Sequence, residues 1–229
     1  ACGKLMSKEA LEPLTKLIVD AGNKETVLRH AGIFGLAGAA SPRELKSLSE
    51  HSSEALRIAA VVALRRQGAF DELTAFLDDA SPQVMSDAMR AIYDEASPQT
   101  FNDHPNVLTA LATSLDPSSP APVNVRAIAA NRRLGTIEAA RRVAAFLTTP
   151  KLDPALRVEA LYSLESWPDA STLDPMDGRH FPVPQGNPEV LGEVVGPEIW
   201  SLAHDSHDKV SRRVIALLRK IELSPAQLD

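Results

Sequence analysis

The sequence is poor in residues that several classes of protein require. Cys2 is the only cysteine among 229 residues, which excludes an intramolecular disulfide, a multi-cysteine zinc site and a CxxCH haem attachment within this chain. Aromatic residues contribute only 4%, whereas hydrophobic residues contribute 44%. A core of Ala, Leu, Val and Ile with few rings favours closely spaced helices over a sandwich or a barrel.

The chain also lacks a basic surplus, a long apolar run and the common catalytic motifs. Its net charge of −6 and its pI of about 5.6 argue against a dedicated nucleic-acid binder. No run of 18 apolar residues occurs, so the sequence contains no candidate membrane-spanning helix. No P-loop, GxGxxG or nucleophile elbow stands in the context that its chemistry requires.

Internal repeats are what the sequence does contain. A turn residue, a short apolar stretch, an arginine and an Ala-rich amphipathic run recur at 25–38, 54–68, 122–135, 154–167 and 209–221. The segment 82–95 fits the same pattern, with a serine in place of the arginine. We call the shared position the anchor position. Its residues are Arg29, Arg57, Ser86, Arg126, Arg157 and Arg212.

A shorter helical segment precedes most anchor segments. These partner segments are 41–51, 70–79, 104–115 and 137–149. Ser–Pro pairs at 41–42 and 81–82 are typical helix starts, and Gly38, Gly68 and Gly135 are typical helix ends. Helix pairs of roughly 30 residues cannot bury their apolar faces alone and stack on their neighbours.

The sequence therefore predicts an all-α fold, a right-handed α–α superhelix of about six helical hairpins. The repeat length and the arginine pattern resemble those of HEAT repeats. We expect residues 1–229 to form a single solenoid, with an irregular proline-rich insertion at 167–188 and the sixth hairpin at 197–221. A second, shorter polar insertion lies at 97–105.

The anchor arginines predict a structural ladder rather than a ligand site. We expect Arg29, Arg57, Arg126, Arg157 and Arg212 to bond carbonyls or carboxylates in the turns of neighbouring repeats. The candidate carboxylates are Asp78, Asp79 and Asp153. The alternative, that these arginines bind a ligand, explains their regular recurrence less well.

The insertion at 167–188 is too rich in proline for a helix, yet it carries large apolar side chains. A long loop of this kind is usually functional or packed. We predict that it docks, on a neighbouring domain or within the chain, through Trp167, Asp177, Arg179 and Phe181. Catalysis by the acid, guanidinium and imidazole of 177–180 is a weaker alternative.

Two further clusters suggest sites that we do not assign. His204 and His207 flank a carboxylate, but no third metal ligand can be named, so these are interpreted as polar turn residues. Arginine pairs at 65–66, 132–133, 141–142 and 212–213 could line a DNA groove, yet cations are also favoured at helix C-termini. No catalytic, cofactor-binding or metal residue is predicted, and no cofactor.

The segments "LRHAGIFGLAG", "ALRIAAVVALRRQG" and "RVEALYSLESWPDASTLDPMDGRHFPVP" resemble the HEAT-repeat region of large bacterial membrane-bound dehydrogenases. Those proteins join a sorbosone- or glucose-dehydrogenase-like propeller, HEAT repeats and a c-type haem domain. The resemblance covers about residues 28–184, and its most specific part is the loop after the fifth repeat. It implies an exported parent protein of the periplasm or cell envelope, and it transfers no catalytic residue to this chain.

These observations together predict a non-catalytic scaffold that orients a dehydrogenase domain and a haem domain. A stand-alone adaptor that binds a protein partner is the first alternative. An enzyme of the HEAT-like DNA glycosylase or bilin lyase kind is the second. The expected partner is protein, either a neighbouring domain or another chain, without nucleic acid and without membrane insertion by this segment.

Overall fold

A computed structural model of the chain describes residues 8–22, 24–174, 176–204 and 207–221. The described residues are mainly helical, as the repeat pattern predicts, and they contain thirteen α-helices and one two-stranded sheet. The chain divides into two compact units, with unit 1 ending at Ala96 and unit 2 beginning at Ser97. That the whole chain forms one uninterrupted solenoid stays a prediction.

Unit 1 contains three anchor helices and their partners. Its helices are α1 (Leu11–Ala21), α2 (Thr26–Ala39), α3 (Pro42–Ser47), α4 (Glu54–Gln67), α5 (Phe70–Leu73) and α6 (Pro82–Tyr93). Short 3₁₀ turns extend the chain at Lys8–Ala10, Leu48–Glu50 and Thr74–Phe76. The anchor helix α4 packs between α2 and α6, and α1 and α3 cover it from the partner side.

The side chains that α4 buries explain this close packing. Ala59, Ala60, Ala63 and Leu64 are completely buried. Small alanine side chains let neighbouring helices approach closely, whereas Leu64 fills the remaining space. Few aromatic residues are therefore needed in this core.

Most helix boundaries follow the local signals in the sequence. The Ser41 hydroxyl accepts a hydrogen bond from the backbone N–H of Glu44, and the Glu44 carboxylate accepts one from the backbone N–H of Ser41, so α3 begins with a capping box. Gly68 and Gly135 end α4 and α9 with φ of 66° and 64°, the left-handed backbone that glycine adopts readily. The prediction for Gly38 is wrong, because α2 continues through it to Ala39.

Unit 2 repeats the arrangement with α9, α11 and α13 as anchor helices. Its helices are α7 (Pro98–Asp103), α8 (Pro105–Thr113), α9 (Ala121–Leu134), α10 (Ile137–Leu147), α11 (Pro154–Glu165), α12 (Pro188–Trp200) and α13 (Asp208–Leu218), with a 3₁₀ turn at Ser201–His204. The anchor helix α11 packs against α9 and α13, and α10 packs against α12. The shorter polar insertion forms α7, whose Phe101 is buried.

The proline-rich insertion forms a β-hairpin, which the sequence did not predict. Strand β1 (Ser171–Leu173) pairs antiparallel with β2 (His180–Val183). In this register Ser171 lies opposite Val183 and Leu173 opposite His180. Along β2 the side chains alternate between exposed and buried, so one face of the hairpin rests on unit 2.

None of the helices in the described ranges is both long enough and apolar enough to cross a membrane.

Candidate interaction surfaces

Arg57, at the anchor position of α4, bonds one carboxylate and two backbone carbonyl oxygens. Arg57 is bidentate to Asp79, with Nε–Oδ2 and Nη2–Oδ1 distances of 2.7 and 3.1 Å. Its Nη1 donates to the carbonyl oxygens of His51 and Ser52. Asp79 also accepts from the backbone N–H of Ser81, just before α6. Arg57 thus ties its own helix to the turn that starts the next anchor helix.

The other anchors differ from Arg57 in their partners. Arg126 donates to the Pro122 carbonyl in its own helix, and Arg157 donates to the Thr149 carbonyl in the preceding turn. Arg212 lies 3.5 Å from Asp208, where both side chains are largely exposed. Of the other expected carboxylates, Asp153 caps α11 by accepting from the N–H of Ala155, and Asp78 is exposed.

The loop side chains predicted to dock on a partner are divided between the interior and the surface. Trp167 and Phe181 are only 1% and 7% exposed, so they belong to the core of unit 2. Of the two alternatives predicted for this loop, Phe181 and Trp167 therefore follow the second, packing within the chain. Arg179 remains on the surface, with its side chain 44% exposed, and Asp177 lies beside it.

Arg133 of α9 contacts the buried face of the hairpin through an ion pair and an aromatic ring. Its Nε lies 2.7 Å from Asp174 Oδ2, and both side chains are at most 1% exposed. The guanidinium also lies 4.0 Å from the centre of the Phe181 ring. Asp174 in turn accepts backbone N–H groups of Met176 and Asp177, which shape the hairpin turn.

Arg132 fixes the two ends of the loop. It donates to the carbonyl oxygens of Ser166 and Asp169 at the start and of Pro184 at the end. It also lies over the Trp167 ring, 5.5 Å from the centroid. Burial removes water from this guanidinium and lowers its pKa to about 10. The arginine pair at 132–133 is therefore buried, and neither side chain is offered to a DNA backbone.

The outer side of the hairpin has both charge and apolar surface. Arg179 Nε and Nη2 both donate to Asp177 Oδ2, and the backbone N–H of Arg179 donates to Oδ1. Burial raises the pKa of Asp177, but the hydrogen bonds and charge of Arg179 outweigh it, so the net pKa is lowered. Leu173 is 53% exposed and, with Tyr162, lines a cavity of about 370 Å³ between the hairpin and the helices.

A larger groove lies on the anchor helices of unit 1. Its volume is about 620 Å³, and it is lined by residues of α2, α4 and α6. The apolar part consists of Val27, Ile33, Ile58 and Val62, and the polar part of Thr26, Arg29, His30 and Asp87. We call this feature the anchor groove. Val27 is 81% exposed, although it is a large apolar residue.

An exposed aromatic residue continues this surface. Phe34 is 49% exposed, and the His30 ring meets it edge-on at 4.9 Å between centroids. Arg66 from α4 lies over the same ring, with its guanidinium carbon 3.8 Å from the ring centre. At the opposite wall of the groove, Asp87 accepts a hydrogen bond from Gln83. The face thus combines an apolar floor with charged edges.

Unit 2 has a cationic counterpart between α11 and α13. Val158 and Ala216 form its floor, with Lys209, Arg212 and Arg213 around them. Arg213 lies over the Tyr162 ring and bonds Glu165 at 2.5 Å. Burial raises the pKa of nearby Glu159, and the charge of Arg213 opposes this only in part.

A metal site has no support in the parts of the chain that the structure describes. Those residues contain no group of three or more His, Cys, Asp or Glu side chains placed to hold an ion. The segment between His204 and His207 lies outside the described residues.

The sequence did not predict the anchor groove. Its lining residues lie on helices that are apolar around much of their circumference, so the pattern of one helix does not show which face stays uncovered. The available signal was a large apolar residue, Val27, next to the polar start of α2.

No family model matches the sequence, and no curated protein matches it. Two designed proteins have a similar fold. One is a designed armadillo repeat protein in complex with the peptide (KR)4, at 20% identity and a TM-score of 0.53, with 94% of this chain and 92% of that chain covered. The other is a computationally designed armadillo repeat protein for modular peptide recognition, at 20% identity and a TM-score of 0.55, with 97% and 100% covered.

The likeness shows that the chain has an all-α helical-repeat solenoid fold of the HEAT and armadillo kind. The comparisons do not link it to dehydrogenases.

Proposed function

We propose that this chain is a non-catalytic repeat scaffold that binds a segment of another protein in the anchor groove of unit 1. The observation that carries the proposal is the groove itself, with Val27 exposed on α2 and Ile58 and Val62 partly exposed on the adjacent helix α4. A ligand site is typically a concave, mainly apolar surface with a few polar groups, and this groove has that composition.

Exposed apolar surface supports the same assignment. Three of the eight exposed large hydrophobic residues among those described belong to α2, which forms one side of the groove: Val27, Leu28 and Phe34. Contiguous exposed apolar surface rimmed by polar residues marks interaction sites. The two similar designed proteins also bear on the proposal, since one was solved with a peptide and the other was designed for peptide recognition.

The experiment is a selection of binding peptides from a random displayed library. The groove variant carries Val27→Glu and Val62→Glu, which place two carboxylates on the apolar lining. The matched control is Val19→Glu, which makes the same change at an exposed valine of α1 outside the groove. Circular dichroism and thermal unfolding establish that all three chains are folded.

We expect the selected peptides to bind the wild type and the control equally and to lose at least tenfold in affinity for the groove variant. Peptides that bind all three chains alike would overturn the proposal. Salt-sensitive DNA binding or transfer of a bilin chromophore would favour the enzyme alternatives instead.

A finer proposal concerns the parent protein. We propose that the chain connects a propeller dehydrogenase domain to a haem domain in an exported redox protein. The support is the resemblance of residues 28–184, above all of the loop after the fifth repeat. The coding sequence on both sides tests it: a propeller-like stretch upstream and a CxxCH motif downstream are expected, and a stop codon at one end with a signal peptide at the other would leave a free-standing adaptor.

A further inference from the structure

Asp87 is the single carboxylate among the residues that line the anchor groove. It is partly buried on α6, and it accepts a hydrogen bond from the uncharged Gln83 amide at 2.9 Å. No Lys, Arg or His among the described residues lies within ion-pair distance of it, in contrast to Glu95 and Asp94, which pair with Arg65 and Arg90. The groove therefore presents one negative charge without a positive partner at the edge of an apolar floor.

We propose that the protein segment in the groove carries an aliphatic residue and, two positions before or after it, a lysine or arginine. This rests on the proposed function and names the chemistry of its partner. The aliphatic side chain covers Ile58 and Val62, and the cation bonds Asp87. Burial of the apolar surface supplies the affinity, and the unpaired carboxylate supplies the selectivity.

The spacing follows from the dimensions of helices and extended chains. Packed helices such as α4 and α6 lie about 8–10 Å apart. In an extended segment, residues two positions apart point to the same side and are separated by roughly 7 Å. The flexible stem of a lysine or arginine covers the remaining few ångströms, so the motif is aliphatic–any–basic in either chain direction.

A preference for an acidic residue in the bound segment is less consistent with the groove. Arg29 also lines it, but this arginine already takes part in other interactions. Arg66 lies over the Phe34 ring, so its charge faces an aromatic surface. An acidic residue of a partner would therefore compete with existing contacts of the arginines. A basic residue would instead supply the positive partner that Asp87 lacks.

The test measures peptide affinity by fluorescence polarisation with peptides from the library selection. Each peptide is compared with versions in which the basic residue is replaced by alanine or by glutamate. The chains are the wild type, Asp87→Asn, Asp87→Lys and the control Asp78→Lys, which makes the same charge change at an exposed aspartate outside the groove.

We expect the basic peptide to bind the wild type about three- to fivefold more tightly than the alanine version, the range of a partly exposed ion pair. Asp87→Asn should remove this preference, Asp87→Lys should reverse it in favour of glutamate, and Asp78→Lys should leave it unchanged. The preference should also weaken as salt is raised.

Three outcomes overturn the inference. Peptides that bind in the groove without a charge preference contradict the partner chemistry, while the proposed function stands. The same holds if the peptides still prefer a basic residue when they bind Asp87→Lys. Peptides that do not depend on the groove contradict both. Self-association in sedimentation experiments that the Val27→Glu/Val62→Glu variant abolishes would make a second copy of this chain the occupant.

Discussion

The buried pair of Arg133 and Asp174 holds the hairpin on unit 2, and Arg133→Met should destabilise that unit by about 3–5 kcal/mol. The magnitude follows from the loss of one partner of a buried ion pair, which leaves the other charge buried without its ionic partner. The two atoms are 2.7 Å apart and both side chains are at most 1% exposed, so water cannot replace the lost guanidinium. Loss of the contact with the Phe181 ring adds to the effect.

A double-mutant cycle isolates the pair. Asp174→Asn should cost a similar amount, because it leaves Arg133 charged and buried. The asparagine oxygen can still accept from the N–H groups of Met176 and Asp177. The double variant Arg133→Met/Asp174→Asn should therefore lose clearly less than the sum of the two single changes.

Urea unfolding followed by tryptophan fluorescence measures these differences. Trp167 and Trp200 are the two tryptophans of the chain, and both belong to unit 2. Trp200 is 58% exposed, so a Trp200→Phe background leaves the buried Trp167 as the probe. The control is Arg179→Met, which removes an arginine from an exposed pair in the same hairpin and should cost at most about 1 kcal/mol.

A loss below about 1 kcal/mol for Arg133→Met, or one equal to that of Arg179→Met, would refute this reasoning. It would mean that the hairpin is held by its apolar side chains rather than by the buried charges.

Three further predictions concern unit 2. Glu159→Gln should raise the free energy of unfolding at pH 7: burial raises the folded-state pKa of Glu159, so ionisation opposes folding as the pH rises through that value. This gain in stability should vanish in urea titrations at a pH below the ordinary glutamate pKa of about 4.3. A gain that persists at that pH would contradict the assigned role of the Glu159 charge. Gly135→Ala should cost several kcal/mol by thermal unfolding, since a Cβ there would clash with Cγ of Pro184 in the loop. Gly178→Ala, also at positive φ but with no atom within 4 Å, should cost only about 1 kcal/mol, and equal losses would argue against the clash. Phe181→Ala should destabilise by about 3–5 kcal/mol in the same assay, and a loss near zero would place Phe181 on the surface after all.

The helical repeats could be predicted because their signals are local. The apolar period, the serine caps and the glycines at 68 and 135 each act within one helix and its turn. Helix α2 does not end at Gly38 but continues to Ala39. The extended backbone of Ala40 then leads into Ser41, the N-cap of α3. The cap of the next helix, not the glycine, therefore sets this boundary.

The hairpin could not be predicted, because its stability comes from distant contacts. Its strands have only three and four residues, and β2 contains Pro182, which is tolerated because β2 is an edge strand. Arg133 and Asp174 are 41 residues apart in the sequence. The sequence pointed correctly to a loop with apolar content, but which side chains face inward depends on helices that fold elsewhere in unit 2.

The anchor groove is a tertiary feature for a similar reason. The sequence suggests Ile58 and Val62 as core residues of a helix that is apolar on most sides, and only the packing of α4 between α2 and α6 leaves them partly exposed. The partner of Arg57 was easier to foresee, because Asp79 lies in the turn before the next anchor helix.

Methyl NMR of the chain titrated with a library-selected peptide tests the central claim most directly. The account predicts that the largest shift changes occur at the methyl groups of Val27, Ile33, Ile58 and Val62, which line the anchor groove. Changes centred instead on Leu173 and Val183 would place the peptide at the hairpin of unit 2 and contradict the account.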